Sequence, residues 1–130
     1  MTTVTGRFDL TSWDDETYDD AEGATLQRVR NTKSFEGGIS GTSVADLLMA
    51  VAGEDSAAYV AIERVTAEVD GRKGTFVLRH SAYAGAEGAT MQVDVVPQSA
   101  TGDLRGLTGT LTIERSDDGE HTYAFTYDLP

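Results

Sequence analysis

The fold of this chain follows from the stretch between Tyr59 and Tyr83, which reads YVAIERVTAEVDGRKGTFVLRHSAY. Both arms alternate in character and are rich in β-branched and aromatic side chains, a pattern typical of β-strands. Between the arms, Asp70-Gly71 and Gly74 supply residues that readily adopt the positive φ of a tight connection. The stretch therefore predicts a long β-hairpin.

The register of this hairpin decides which side chains share a face. A four-residue loop from Asp70 to Lys73 sets Glu63 directly opposite His80 on an otherwise apolar face. A register of opposite parity sets Glu63 opposite Arg79 or Ser81, because strand side chains alternate with a period of two. We prefer the first register, since it keeps the large apolar side chains of both arms together.

Charge and composition bound the classes of function. The 130 residues predict one domain spanning residues 1–130, with 22 acidic against 10 basic residues and a net charge of −12. This charge repels nucleic acid, and no basic stripe offsets it. No apolar run approaches the roughly 20 residues of a membrane helix, and the first residues do not resemble a signal peptide. We expect a soluble, cytoplasmic protein that binds neither nucleic acid nor membranes.

Metal and thiol chemistry have little support in the sequence. The chain has no cysteine and two histidines, His80 and His121, so a histidine-based zinc site would need carboxylates to complete it. The acidic segment from Asp14 to Glu22 lacks the spacing of a calcium-binding loop and predicts a solvated connection. We expect no metal and no cofactor.

Further strands precede and follow the central hairpin. The segment Ile39–Ala52 has some helix propensity but is interpreted as a strand, because residues 53–56 then form an ordinary hairpin loop. Trp13 falls on the other parity from the first strand's apolar face, so it either ends that strand over the rim or sits at a bulge. The remaining predicted strands are Val4–Ser12, Thr25–Phe35, Thr90–Val96, Leu107–Glu114 and Glu120–Leu129.

The last two strands predict a second hairpin whose register can be derived. A three-residue loop, Asp117-Asp118-Gly119, is a favoured solution with glycine in the last position. It pairs Ile113 with Tyr123, Leu111 with Phe125 and Gly109 with Tyr127. About eight short strands with turn-like connections predict a closed antiparallel up-and-down β-barrel, with a two-sheet sandwich as the alternative.

Several segments resemble one bacterial protein family along nearly the whole chain. They are Gly6-Arg7-Phe8 with Trp13, Gly38 to Gly41, Tyr59 to Arg64, Gly71 to His80, Val95 to Leu104 and His121 to Tyr123. Together they resemble the bacterial domain of unknown function 3224. The resemblance implies an eight-stranded allene-oxide-cyclase-like (calycin-like) barrel and assigns no biochemical role. The chain departs from the family pattern by alanine in place of glycine at positions 67, 82 and 100.

Glu63 and His80 are the candidate catalytic residues, because two ionisable groups on an apolar face are costly to bury unless they are paired. The pair either moves a proton or forms a structural hydrogen bond. The candidate ligand-binding residues around it are Tyr59, Phe76, Met91, Tyr123, Phe125 and Tyr127.

Three classes of function remain open. The first is a barrel that binds a small apolar or amphipathic molecule in its lumen. The second is a cofactor-independent isomerase or cyclase that uses Glu63 and His80, an analogy based on fold alone. The third is a structural barrel that forms a homo-oligomer, a dimer or larger, through the outward-facing Val60 and Ile62.

Overall fold

Eight antiparallel strands close on themselves in chain order in the computed structural model, which describes residues 1–130. The predicted closed barrel is therefore confirmed, and the segment Ile39–Ala52 is a strand. The one helical element is a 3-10 turn at Gly102–Leu104, and no helix is long and apolar enough to cross a membrane. The strands are β1 Thr2–Asp19, β2 Thr25–Gly37, β3 Ile39–Ala52, β4 Ser56–Val69, β5 Arg72–Gly85, β6 Gly88–Val95, β7 Thr108–Arg115 and β8 His121–Asp128.

The central hairpin forms with a tighter turn than predicted. Asp70 and Gly71 have φ values of 51° and 77° and make a two-residue connection, so that Val69 pairs with Arg72. Two consecutive positive φ values are typical of a type I′ turn, which matches the twist of the strands. The four-residue loop was therefore wrong by two positions, and Glu63 lies opposite Leu78 while His80 lies opposite Ala61. A shift of two preserves parity, so the predicted faces are correct.

Gly74 is required because another backbone segment passes close to it, and not because of the turn. A Cβ atom at this position would lie 2.0 Å from the carbonyl oxygen of Thr101. The segment from residue 97 to 107 crosses β5 here, and the side chains of Ser99 and Thr101 accept hydrogen bonds from the backbone N–H groups of Val77 and Thr75. These side chains therefore satisfy backbone N–H groups on the part of β5 that extends beyond its pairing with β6.

The first strand is longer than predicted because it continues through the acidic segment. The registry with β2 shifts between Leu10 and Ser12, which leaves Thr11 as an extra residue. This bulge turns Trp13 to the same side as Phe8 and Leu10. Of the two predicted alternatives, the structure therefore has a bulge and not the end of the strand. Residues 14–19 were expected in a loop but pair with β2, where Arg28 and Arg30 are the neighbours of Glu16 and Asp14. Opposite charges across the ladder offset the low strand propensity of acidic residues.

The barrel is taller on one side than on the other. Strands β1 to β5 have 13 to 18 residues, whereas β6, β7 and β8 have eight each. Strand β1 pairs with β8 only up to Phe8, and β6 meets β7 only at Val93 and Asp94. One end of the barrel is therefore open between the second half of β1 and the first half of β6.

The opposite end is filled and closed. Leu104 and Leu107, in the segment that connects β6 to β7, are buried in the large core cluster. The rings of Phe76 and Phe125 stack in this core with centroids 5.9 Å apart. The C-terminal hairpin has the predicted register and buries Leu111, Phe125 and Tyr127 in this core. Ile113 is partly buried and packs against the same cluster.

Candidate functional site

Four polar side chains meet inside the barrel at the level where the packed core ends. The carboxylate of Glu63 is completely buried. Its Oε1 atom lies 2.6 Å from Nε2 of His80 and 3.2 Å from Nζ of Lys33, and its Oε2 atom accepts a hydrogen bond of 2.5 Å from Ser43. The other three side chains are also buried. This polar cluster of Lys33, Ser43, Glu63 and His80 gives both carboxylate oxygens a partner.

The cluster draws one residue from each of four consecutive strands. Lys33 on β2 pairs with Ser43 on β3, and His80 on β5 lies two residues beyond Leu78, the direct partner of Glu63 on β4. Long side chains bridge such diagonal neighbours in antiparallel sheets. The predicted proximity of Glu63 and His80 is therefore present, but it is diagonal and not direct.

Electrostatics keep Glu63 ionised. Burial raises the pKa of this carboxyl group, but the hydrogen bond from His80, the charge of Lys33 and the hydrogen bond from Ser43 outweigh burial and lower it to about 2. An ionised carboxylate only accepts hydrogen bonds, so Nε2 of His80 is the donor in the 2.6 Å contact. The ionised carboxylate thereby orients the imidazole ring.

A cavity of about 170 Å³ lies above the polar cluster, at the open end of the barrel. Its wall is mainly apolar, and the polar groups that reach it belong to four residues. The apolar part consists of Phe8, Leu10, Trp13, Ala45, Leu47, Met49, Tyr59, Ala61, Met91 and Ile113, and the polar part of Asn31, Lys33, His80 and His121. Trp13 and Met91, both about half exposed, lie on the two strands that flank the opening.

Two buried polar atoms of this wall have no hydrogen-bond partner. They are Nδ1 of His80 and Oδ1 of Asn31. A third such atom, the hydroxyl of Tyr127, belongs to the packed core, and not to the cavity. Buried polar atoms are normally satisfied, so these two atoms, on residues of the cavity wall, retain unused hydrogen-bonding capacity.

The predicted ligand-binding residues are divided between the cavity and the core. Tyr59 and Met91 line the cavity. Phe76, Phe125 and Tyr127 belong to the packed core and do not line the cavity. The hydroxyl of Tyr123 is fixed at the closed end, where it donates to the carbonyl of Glu36 and accepts from the N–H of Ile39. A ligand role for any of these residues stays a prediction.

Sequence reasoning missed Lys33, Ser43, Asn31 and His121. Asn31 and Lys33 lie on the inward face of β2 together with Val29 and Phe35. The signal available in the sequence was the position of these polar residues on the same strand face as large apolar residues. His121 lines the cavity with its ring stacked on Phe8 at 4.9 Å, and its pKa is lowered by burial and by the charges of Arg115 and Lys33. No group of three or more histidine, cysteine or acidic residues forms a metal-binding arrangement.

Comparison with known proteins places the chain in a family. Residues 4–127 match the model of the family described as protein of unknown function (DUF3224). The chain belongs to the DUF3224 family. It is also similar to a DUF3224-family protein of unknown function from Shewanella oneidensis MR-1, whose crystal structure was determined at 1.84 Å. The identity is 36%, the alignment covers 100% of this chain and 98% of that one, and the TM-score is 0.91. No curated protein matches the chain.

The pairing of Glu63 with His80 can be measured by a double-mutant cycle. Glu63→Gln and His80→Gln should each lower the free energy of unfolding by about 1 to 3 kcal/mol, because each leaves a buried partner unsatisfied. The double variant should cost less than the two single costs added together. Urea denaturation measures all four proteins. Asp46→Asn, which removes an exposed ion-pair partner of Arg30, is the control and should have a much smaller effect. Strictly additive losses would contradict the pairing.

Acid should weaken the fold through the same carboxylate. Because the folded-state pKa of Glu63 is about 2 and its usual value is 4.5, the ionised group contributes stability above pH 4.5 that is lost as the pH falls toward 2. The difference in unfolding free energy between the wild type and Glu63→Gln should therefore narrow over this range. Urea denaturation at a series of pH values measures this difference. A difference that stays constant would show that the buried contacts of Glu63 do not lower its pKa in the folded state.

Proposed function

We propose that this protein binds a small amphipathic molecule in the cavity at the open end of the barrel. The observation that carries the proposal is the pair of buried, unpartnered polar atoms, Nδ1 of His80 and Oδ1 of Asn31, in an otherwise mainly apolar wall. A cavity of this chemistry suits a molecule with an apolar body and one polar end.

The size of the cavity limits the ligand. An apolar cavity of about 150 Å³ in another protein holds benzene, and the cavity here is about 170 Å³. The enclosed part of the ligand is therefore about one ring in size. A larger molecule would extend through the opening between Trp13 and Met91, whose half-exposed side chains offer further apolar contact.

Filling the cavity should abolish binding without damage to the rest of the barrel. Ala45 and Ala61 are small, buried residues of the wall, so Ala61→Met places a flexible apolar side chain in the ligand volume. Native mass spectrometry of gently purified protein should detect a bound small molecule in the wild type and none in this variant. Ala84→Met, at an exposed position of β5 outside the wall, is the matched control and should retain the ligand. If the filled variant carries the same molecule as the wild type, the site lies elsewhere.

We infer separately that the outer face of the barrel forms a homo-oligomer. Leu48, Val60 and Ile62 lie side by side on β3 and β4 and are 50%, 54% and 55% exposed. They lie in a surface depression of about 870 Å³ that crosses β1 to β5. Its wall sets Arg28, Arg30 and Arg79 against the acidic side chains of Asp14, Asp15, Glu16 and Asp46, so its charge is close to balanced although the whole chain carries −12.

Charge placed in the apolar stripe should separate the subunits. Val60→Lys combined with Ile62→Lys leaves the inward face unchanged, so the variant should fold and behave as a monomer in light scattering, whereas the wild type should show a larger mass. Thr66→Lys with Thr75→Lys, on β4 and β5 but away from the stripe, is the control and should leave the mass unchanged. A monomeric wild type would rule out the oligomer.

Two further expectations stay proposals. One is the assignment of the barrel to the allene-oxide-cyclase-like group, and the other is a cytoplasmic location. The alternative of a proton-transferring enzyme is developed next, because it depends on the chemistry of His80.

A further inference from the structure

The polar wall of the cavity offers a proton acceptor beside a cation. A neutral imidazole that donates from Nε2 to Glu63 would carry its lone pair on Nδ1, the atom without a partner. Lys33 and Glu63 already balance one positive against one negative charge, so a neutral His80 leaves the buried cluster without net charge.

Lys33 supplies the cation. Its Nζ atom makes one hydrogen bond, to Oε1 of Glu63, although an ammonium group can donate three. Lys33 lines the cavity as His80 does, and both contact the same carboxylate oxygen, so the two groups are neighbours at the cavity floor. The phenyl ring of Phe8 lies 5.0 Å from Nζ and limits the directions from which an oxygen atom of a ligand can approach.

We propose that the ligand is a small carbonyl compound about one ring in size, and that His80 removes a proton from the carbon next to its carbonyl group while Lys33 binds the carbonyl oxygen. This proposal rests on the ligand site proposed above and names its substrate class. It assigns His80 as general base, Lys33 as the group that stabilises the developing negative charge, and Glu63 as a positioning residue.

The proposed step is balanced without a further reactant. The proton moves from carbon to Nδ1, the electron pair of the broken C–H bond forms a C=C bond, and the former carbonyl π pair moves to the oxygen beside Lys33. The imidazolium form of His80 then returns the proton to a carbon atom of the same molecule. Return to a different carbon gives an isomer, and return to the same carbon gives the starting compound.

Return to the same carbon makes the step measurable with a simple ketone. Cyclohexanone has one ring. In D₂O the proton on Nδ1 exchanges with solvent, and each return that follows such an exchange replaces an α hydrogen with deuterium, which proton NMR detects. The wild type should accelerate this exchange over buffer, and His80→Gln should lose at least 100-fold of the acceleration, within the usual contribution of a general base. Lys33→Met should lose it as well.

Lys73→Met provides the matched control, since Lys73 is the other lysine of the chain and is exposed on β5 outside the cavity wall. It should retain the exchange, and retention of the exchange in His80→Gln would overturn the assignment. If His80→Gln fails to fold, nitrogen-15 NMR of the wild-type histidines decides instead. His80 should carry hydrogen on Nε2 and none on Nδ1 at neutral pH, and hydrogen on both atoms would refute the base. In Glu63→Gln, this protonation pattern should be lost together with the exchange, as a positioning role requires.

The same samples separate the two proposals. Saturation-transfer NMR reports whether cyclohexanone binds, and Ala61→Met should abolish both binding and exchange. Binding without accelerated exchange would overturn the general base and leave the ligand site intact. Failure of the wild type to bind cyclohexanone, or any co-purified molecule, would overturn the ligand site itself.

Discussion

The buried carboxylate of Glu63 is the interaction on which the arrangement of the barrel interior depends. An ionised group removed from water is strongly unfavourable unless other groups replace its hydration. Here Lys33, Ser43 and His80 replace it, and together with Glu63 they come from four consecutive strands. Because a slip of one residue would turn a partner to the outside, the cluster helps to define the register of β2 to β5.

The polar cluster also separates two halves of the barrel that differ in packing. On one side, aromatic and aliphatic side chains from all parts of the chain fill the interior, and Leu104 and Leu107 close the end. On the other side, the small side chains of Ala45 and Ala61 leave space that larger residues would fill. The proposed chemistry belongs to this hollow half, where the charged groups meet a cavity and not a packed core.

Unequal strand lengths explain why the hollow half is accessible. Strand β8 pairs with β1 only up to Phe8, and β7 pairs with β6 only at Val93 and Asp94, so the second half of β1 and the first half of β6 have no partner across the opening. The extra residue Thr11 turns Trp13 toward this opening, where its indole N–H donates to Asp15 at 2.9 Å. Bulges often redirect side chains near functional sites in this way. The acidic part of β1 is thus a wall of the opening as well as a solvated strand.

The sequence by itself determined the closed antiparallel barrel, the inward parity of Glu63 and His80, and the register of the C-terminal hairpin, because these follow from local alternation and turn residues. Only the tertiary structure decided the two-residue turn at Asp70, since Gly74 is required by the distant Thr101 and not by the loop. It also decided the roles of Lys33 and Ser43, the position of the cavity and the assignment of Phe76 and Phe125 to the core. These depend on which residues of distant strands meet inside the barrel, and that is a property of strand register and length around the whole ring.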